Sequence, residues 1–166
     1  MTVKLIGAVM IFIACAYFGI RKSTELKGRC TSLRNLETAM GYLETEISFS
    51  ANNLKRAFEN INKSTDTKSL FADAAEKIEE FGIKKAWAYA VMKNTMPILN
   101  SDRELLLMLG AKLGKTDMQN QLKHIGYIKT LLNAQGTVAE NEYARLGKIY
   151  RSGGVLVGLF IILVII

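Results

Sequence analysis

The chain holds one proline, one tryptophan, one histidine and two cysteines in 166 residues. Each scarcity narrows the choices. Proline is the strongest breaker of a helix interior, so a single copy leaves room for long helices. His124, Cys15 and Cys30 fall short of the N and S ligands of a structural zinc site, and no partnered nucleophile completes a triad with His124. A surface or packing role is expected for that histidine. Strand signals are also missing. β-Branched residues are sparse in the middle of the chain, and no stretch alternates strictly between polar and apolar residues.

What the chain does have is hydrophobic residues, 49% of the total beside 22% charged. The excess sits at the two ends. Leu5 to Ile20 carries no charge and is bounded by Lys4 on one side and Arg21 and Lys22 on the other. With Val3 and a snorkelling Lys4 it makes about 27 Å of helix, just enough for a bilayer core. The other end runs from Gly153 to Ile166 without a charge. Started at Ile149, with Arg151 snorkelling, it also reaches about 27 Å. The chain is therefore expected to have a transmembrane helix at 3–20, a soluble helical part at 21–149 and a second transmembrane helix at 150–166. Gly154 and Gly158 form a G-x-x-x-G pair, and Cys15 and Gly19 share its spacing, so these are the candidates for close helix packing in lipid.

Charge sets the expected orientation. Arg21, Lys22, Lys27, Arg29, Arg145, Lys148 and Arg151 flank the soluble side of the two segments, against only Lys4 and the amino terminus on the other. The positive-inside rule then puts the middle of the chain in the cytoplasm. Cys15 and Cys30 are poorly placed to pair, which agrees with a reducing compartment. The alternative is a cleaved signal or a lipid-attachment site at Phe12-Ile13-Ala14-Cys15, giving an outward-facing lipoprotein or signal-anchored domain.

The middle reads as helices. Leu26, Leu33, Met40 and Ile47 recur every seven residues, with Leu36 and Leu43 between them. This first helix is expected to continue from the first apolar segment and to break at Ser50 to Asn53. Leu54, Phe58 and Ile61 mark a second helix, and Asn62 to Lys68 a polar loop. Thr67 or Ser69 is the expected cap of a third helix with Leu70, Phe71, Ala74, Ala75, Ile78 and Phe81 on its inner face, ended by Gly82. A fourth runs from Lys84 to about Asn94 with Trp87, Ala90 and Val91. Ser101 and Glu104 read as a capping box for a fifth, with Leu105, Leu106, Leu109 and Leu113 inward. Gly114 ends it, and Thr116 can cap a long sixth carrying Leu122, Ile125, Ile128, Leu132, Val138, Leu146 and Ile149. Six helices with short connections predict an all-α antiparallel six-helix bundle.

Chemistry is hard to find in this pattern. Gly110 to Thr116 resembles a phosphate-binding P-loop, but the spacing is one residue short and no strand precedes it. A helix stop, a turn and a cap account for it. A pI near 9.4 and scattered tyrosines suggest nucleic acid, yet the basic residues are spread along the chain and several flank apolar segments, where anionic lipid is the better partner. No nucleic acid, catalytic residue, cofactor or metal is therefore assigned. Glu37, Glu44, Glu46 and Asp117 stand as a solvated surface or a partner or metal site.

Several motifs together resemble a known family. They are Leu43-Glu44-Thr45-Glu46-Ile47, the mid-chain Trp87, the run Leu109-Gly110-x-x-Leu113-Gly114-x-x-Asp117-x-x-x-Gln121, and Leu146-Gly147 with Tyr150 before the apolar tail. The chain is similar to stage III sporulation protein AB over essentially its whole length. That resemblance implies a soluble part similar to the helical cytoplasmic F-type domain of the inner-membrane platform protein of type II secretion systems. It implies a non-enzymatic role in the channel complex between mother cell and forespore, in the cell membrane of the mother cell (the outer forespore membrane). The implied partners are the cytoplasmic secretion-type ATPase of the same operon, ring-forming membrane proteins, membrane lipid and further copies of the chain. Glu44, Glu46, Asp117 and Gln121 are then the candidate partner-binding residues, and Gly154 and Gly158 the candidate membrane-packing ones. Some platform relatives bind calcium through acidic and amide side chains, for which Glu44, Asp117 and Gln121 are the nearest counterparts. No metal is assigned from this. The resemblance departs at Ser48 to Asn53, where prolines are common in the family and absent here.

Overall fold

The computed structural model describes residues 2–49, 53–115 and 117–165, with the side chains of 2–6, 8, 164 and 165 left out of the description. Among these residues it is all-helical, with α1 over Thr2–Phe49, α2 over Leu54–Ser64, α3 over Leu70–Lys93, α4 over Asn100–Lys112 and α5 over Met118–Ile165. Five helices stand where six were expected, for a local reason. The third and fourth expected helices are the two limbs of α3, which meet at Gly82 with φ 72° and ψ 162°. That backbone is strained for any residue with a Cβ. The helix stop expected at Gly82 is thus present as a kink rather than a gap.

Contacts divide the chain into two compact units. One joins Met1–Cys30 to Val138–Ile166, and the other is Thr31–Thr137. We call them the terminal pair and the bundle; α1 and α5 contribute to both. One described helix, Met118–Leu163, is long and apolar enough to cross a membrane. The expected first span lies in α1, partly among side chains outside the description.

The bundle core is built from large side chains. Leu33, Leu36, Met40, Leu43 and Ile47 of α1 are buried, as the seven-residue period predicts. Ile125, Ile128 and Leu132 of α5 are buried as well. At the centre, Phe58, Phe71 and Trp87 meet with ring centroids 5.3–5.4 Å apart. Such tilted and edge-on pairs add about 0.5–1.5 kcal/mol each beyond area burial. The indole N–H of Trp87 donates to the Leu106 carbonyl, which ties α3 to α4. Phe81, expected on the inner face, is instead 42% exposed, because the kink one residue later turns that end of the limb outward.

Several helix ends differ from expectation. α2 extends to Ser64, so Asn62 to Ser64 are helical rather than loop. Asn53 caps it, its side chain accepting from the Arg56 N–H at 3.0 Å. Ser69 precedes α3 but makes no capping bond, and sits in the left-handed region. Thr67 serves through its carbonyl, which accepts from the Leu70 N–H and the Asn94 amide. α4 begins ahead of Ser101, and Asp102 rather than Glu104 takes the Leu99 N–H at 2.9 Å. Asp102 is fully buried, and burial selects the shorter carboxylate at that position. The break expected at Ser50 to Asn53 and the cap expected from Thr116 fall mostly outside the described residues.

In the terminal pair α1 and α5 run antiparallel. A side chain at Gly19 would collide with the Tyr150 carbonyl oxygen and lie 3.2 Å from the Gly154 Cα. One at Gly154 would come within 2.7 Å of the Cys15 carbonyl oxygen, and one at Gly158 within 2.8 Å of the Phe12 ring. The helices here approach backbone to backbone. Val138 and Ile149, which the sequence puts near the helical period of the expected sixth helix, are 48% and 60% exposed, and small Ala139 and Gly147 take the inward positions.

Candidate functional site

Within the bundle, α1 and α5 pair antiparallel and carry a ladder of polar groups along one edge. Arg34 donates to Glu37 at 2.8 Å, and Asn133 donates to the other Glu37 oxygen at 2.7 Å. Further along, Lys129 donates to Glu44 at 2.9 Å, while a side chain at Gly126 would meet Glu44 Oε1 at 3.2 Å. These groups line a shallow groove of about 350 Å³ made by Glu37, Glu44, Gly126, Lys129, Thr130 and Asn133. The residues recur at helical spacing, four or seven apart, on one face of each helix. Burial pushes the Glu37 carboxyl up, but the bonds from Asn133 and Arg34 outweigh it and hold it below its ordinary 4.5.

The four candidate partner-binding residues are held in separate local arrangements. Glu44 is in the groove. Glu46 points to α2, where Asn60 donates to it at 3.1 Å. Asp117 caps α5, accepting from the Asn120 backbone N–H at 3.3 Å and from the Asn120 amide at 2.5 Å. Gln121 accepts from the Gly114 N–H at 3.0 Å. The run from Leu109 to Gln121 can therefore be read residue by residue as a turn. A side chain at Gly110 would collide with the Trp87 ring. Gly114 has φ 70°, and a Cβ there would lie 2.5 Å from Ile83 Cδ1. Leu109 and Leu113 are buried. Asp117 starts the next helix, and Gln121 holds the Gly114 amide. The phosphate-loop resemblance of Gly110 to Thr116 has this turn as its physical cause.

Among the described residues, the remaining reactive side chains have plain surroundings. His124 is half-buried, with its Nε2 3.0 Å from the Met108 carbonyl. It borders an open cavity of about 390 Å³ with Lys112, Asn120, Lys123 and Tyr127. Burial, reinforced by Glu140, pushes the Cys30 thiol up, the direction that makes a sulfur less nucleophilic. Among the described residues, no three or more His, Cys, Asp or Glu side chains are grouped to hold a metal ion.

In the terminal pair one charge departs from its expected place. Arg29, counted among the flanking cations, has only 7% of its side chain exposed and donates to Glu142 at 3.1 Å. The signal in the sequence was its position three residues after Leu26 and four before Leu33, on the edge of the apolar stripe. Lys129 and Asn133 went unremarked as well. Their four-residue spacing on α5 and the seven-residue spacing of Glu37 and Glu44 on α1 each keep a pair on one helix face, but only the antiparallel pairing brings the two sets together.

Comparison with known proteins agrees with this architecture. A solved structure of stage III sporulation protein AB superposes with a TM-score of 0.65 at 29% identity, over 70% of this chain and 96% of that one. Stage III sporulation protein AB of Bacillus subtilis (strain 168) is 31% identical over 168 residues, covering 98% of each chain. The model of that family matches residues 4–166. The chain therefore belongs to the stage III sporulation protein AB family.

Proposed function

We propose that this sporulation protein is a non-enzymatic membrane platform in the channel complex between mother cell and forespore, coupling a cytoplasmic secretion-type ATPase to ring-forming membrane components. The observation that carries the reading is that each of two 48-residue helices, α1 and α5, has one apolar end and one end in a polar-surfaced bundle. Such a chain is suited to pass force or position between a lipid phase and a soluble partner. The F-type domain that the family resemblance implies belongs to the same reading. Glu44 and Glu46, with Asp117 and Gln121, are the polar residues proposed to face partners, and several copies would build one platform. Both terminal segments span the mother-cell membrane in this reading, with the bundle in the cytoplasm.

Topology tests it first. Cys15 and Cys30 are replaced by serine, exposed Ser64 is changed to cysteine, and the protein is expressed in vegetative cells. A membrane-impermeant maleimide is expected to label only after permeabilisation. Labelling of intact cells would overturn the assignment and favour an outward-facing anchored domain. Coupling through the helices is tested by inserting a flexible Gly/Ser linker after Arg21, which is expected to abolish sporulation. Full spore yield from that variant would show that α1 need not be continuous for function.

A further inference from the structure

Seven cationic side chains against three carboxylates occupy 21–30 and 138–151. They are not equally engaged. Arg21 and Lys22 both hold Glu25, at 3.2 and 3.0 Å. Arg29 holds Glu142. Lys148 and Arg151 instead border two adjoining cavities of the terminal pair, of about 250 and 230 Å³. The first is lined by Ile20, Ser23, Thr24, Lys27, Tyr143 and Arg151, and the second by Ser23, Tyr143, Ala144, Gly147, Lys148 and Arg151. Ser23, Tyr143 and Arg151 belong to both. Neither is lined by a carboxylate. The small residue at 147 lines the second and leaves it room, since a Cβ there would meet the Tyr143 ring at 2.7 Å and the Ser23 Oγ at 3.5 Å.

We propose that this cleft binds the phosphate of an anionic phospholipid headgroup. It combines the hydroxyls of Ser23 and Tyr143 with cationic ammonium and guanidinium groups, a donor set suited to a phosphate monoanion, while the Thr24 hydroxyl donates to the Ile20 carbonyl. Its place favours lipid over free phosphate. Ile20, the last residue of the charge-free stretch, lines it, and beyond Ile20 and Arg151 the same helices expose Phe18, Leu156 and Phe160 to accommodate acyl chains. The cleft thus sits where a polar headgroup meets the apolar segment. The inference rests on the membrane reading above and gives that reading a lipid preference.

The test uses the full chain in phosphatidylcholine bilayers containing spin-labelled phosphatidylglycerol or spin-labelled phosphatidylcholine, with the motionally restricted fraction of each label compared. Phosphatidylglycerol is expected to be preferred by ~3-fold or more. The double variant K148Q/R151Q is expected to bring the two labels to parity. The charge-matched control R21Q/K22Q, whose cations hold Glu25 and line neither cavity, is expected to keep most of the preference. Equal losses in both variants would overturn a defined site in favour of a diffuse basic band. Release of the phosphatidylglycerol label by millimolar inorganic phosphate at constant ionic strength would overturn the lipid as the ligand. Absence of a wild-type preference would overturn the site while leaving insertion intact. Absence of any restricted fraction would overturn membrane insertion itself and the proposal with it.

Discussion

The terminal pair and the bundle are made by the same two helices with opposite materials. In the bundle, α1 and α5 present Leu, Met and Ile inward, and the shorter helices add an aromatic cluster. In the terminal pair they present glycines, and carbonyl oxygens of one helix face Cα atoms of the other. Water makes the first arrangement favourable by rewarding burial of apolar area. In the proposed two-span reading lipid gives no such reward, and close van der Waals approach holds the helices together there. The change of material along one helix is what that reading requires.

This contrast can be broken from either side. The largest expected effect is in the bundle. Trp87→Ala removes the centre of the aromatic cluster and its bond to Leu106, at a cost of about 3–5 kcal/mol. Near-ultraviolet circular dichroism of the chain in detergent should show the aromatic packing of the bundle melting first, with far-ultraviolet α-helical signal from the terminal pair persisting. A single cooperative loss of both signals would mean that the units do not differ as described.

Next comes Gly154→Leu, which places a branched side chain against the Cys15 carbonyl. Overpacking of this kind costs about 1–3 kcal/mol. In a background lacking Cys15 and Cys30, an oxidative crosslink between cysteines placed at Phe12 and Gly158 should form readily and become weak once Gly154→Leu is added. Urea melting of the bundle should stay unchanged.

A smaller effect is expected from Glu142→Gln, which takes the charge partner from buried Arg29. Because Glu142 is itself partly exposed, about 1 kcal/mol is expected rather than the full cost of breaking a buried pair. Thermal melting at low and at high salt checks this, and the loss should shrink little with salt if burial governs it.

The smallest concerns acid. The folded-state pKa of Glu37 lies below 4.5, so its contribution is present above that value and lost as pH falls through the folded one. Below about pH 4.5 the bundle should lose stability progressively, and Glu37→Gln should flatten that part of the profile. An unchanged slope in the variant would assign the acid sensitivity to other carboxylates.

Elements with a strong period were legible in the sequence. The seven-residue recurrence from Leu26 to Ile47 identifies the stripe of α1 whose members from Leu33 on are buried, and Trp87, placed on a helix by the sequence, is fully buried. Boundaries were harder, because they depend on which of several competent groups is buried. Asp102 and Glu104 are both able to accept an N–H, and only the packing of α4 selects Asp102. The kink at Gly82 was legible as a stop but not as a bend that turns Phe81 outward. The groove is the clearest limit. Glu37 and Lys129 are far apart in the chain, and nothing local says that they face each other. The Leu109 to Gln121 run is legible as a family motif, but its cause is not: Gly110 of α4 makes room for the Trp87 indole, and Gly114 makes the following turn at φ 70°.

The lone tryptophan also gives the molecule an internal optical probe. Its indole is fully buried between two phenylalanine rings in the bundle, and the terminal pair has no tryptophan at all. Tryptophan emission, excited at wavelengths where tyrosine does not absorb, therefore reports on one unit only. A red shift marks loss of the bundle core, even in a membrane where the absorbance of both units overlaps, and partner binding to the bundle can be followed without attaching a dye.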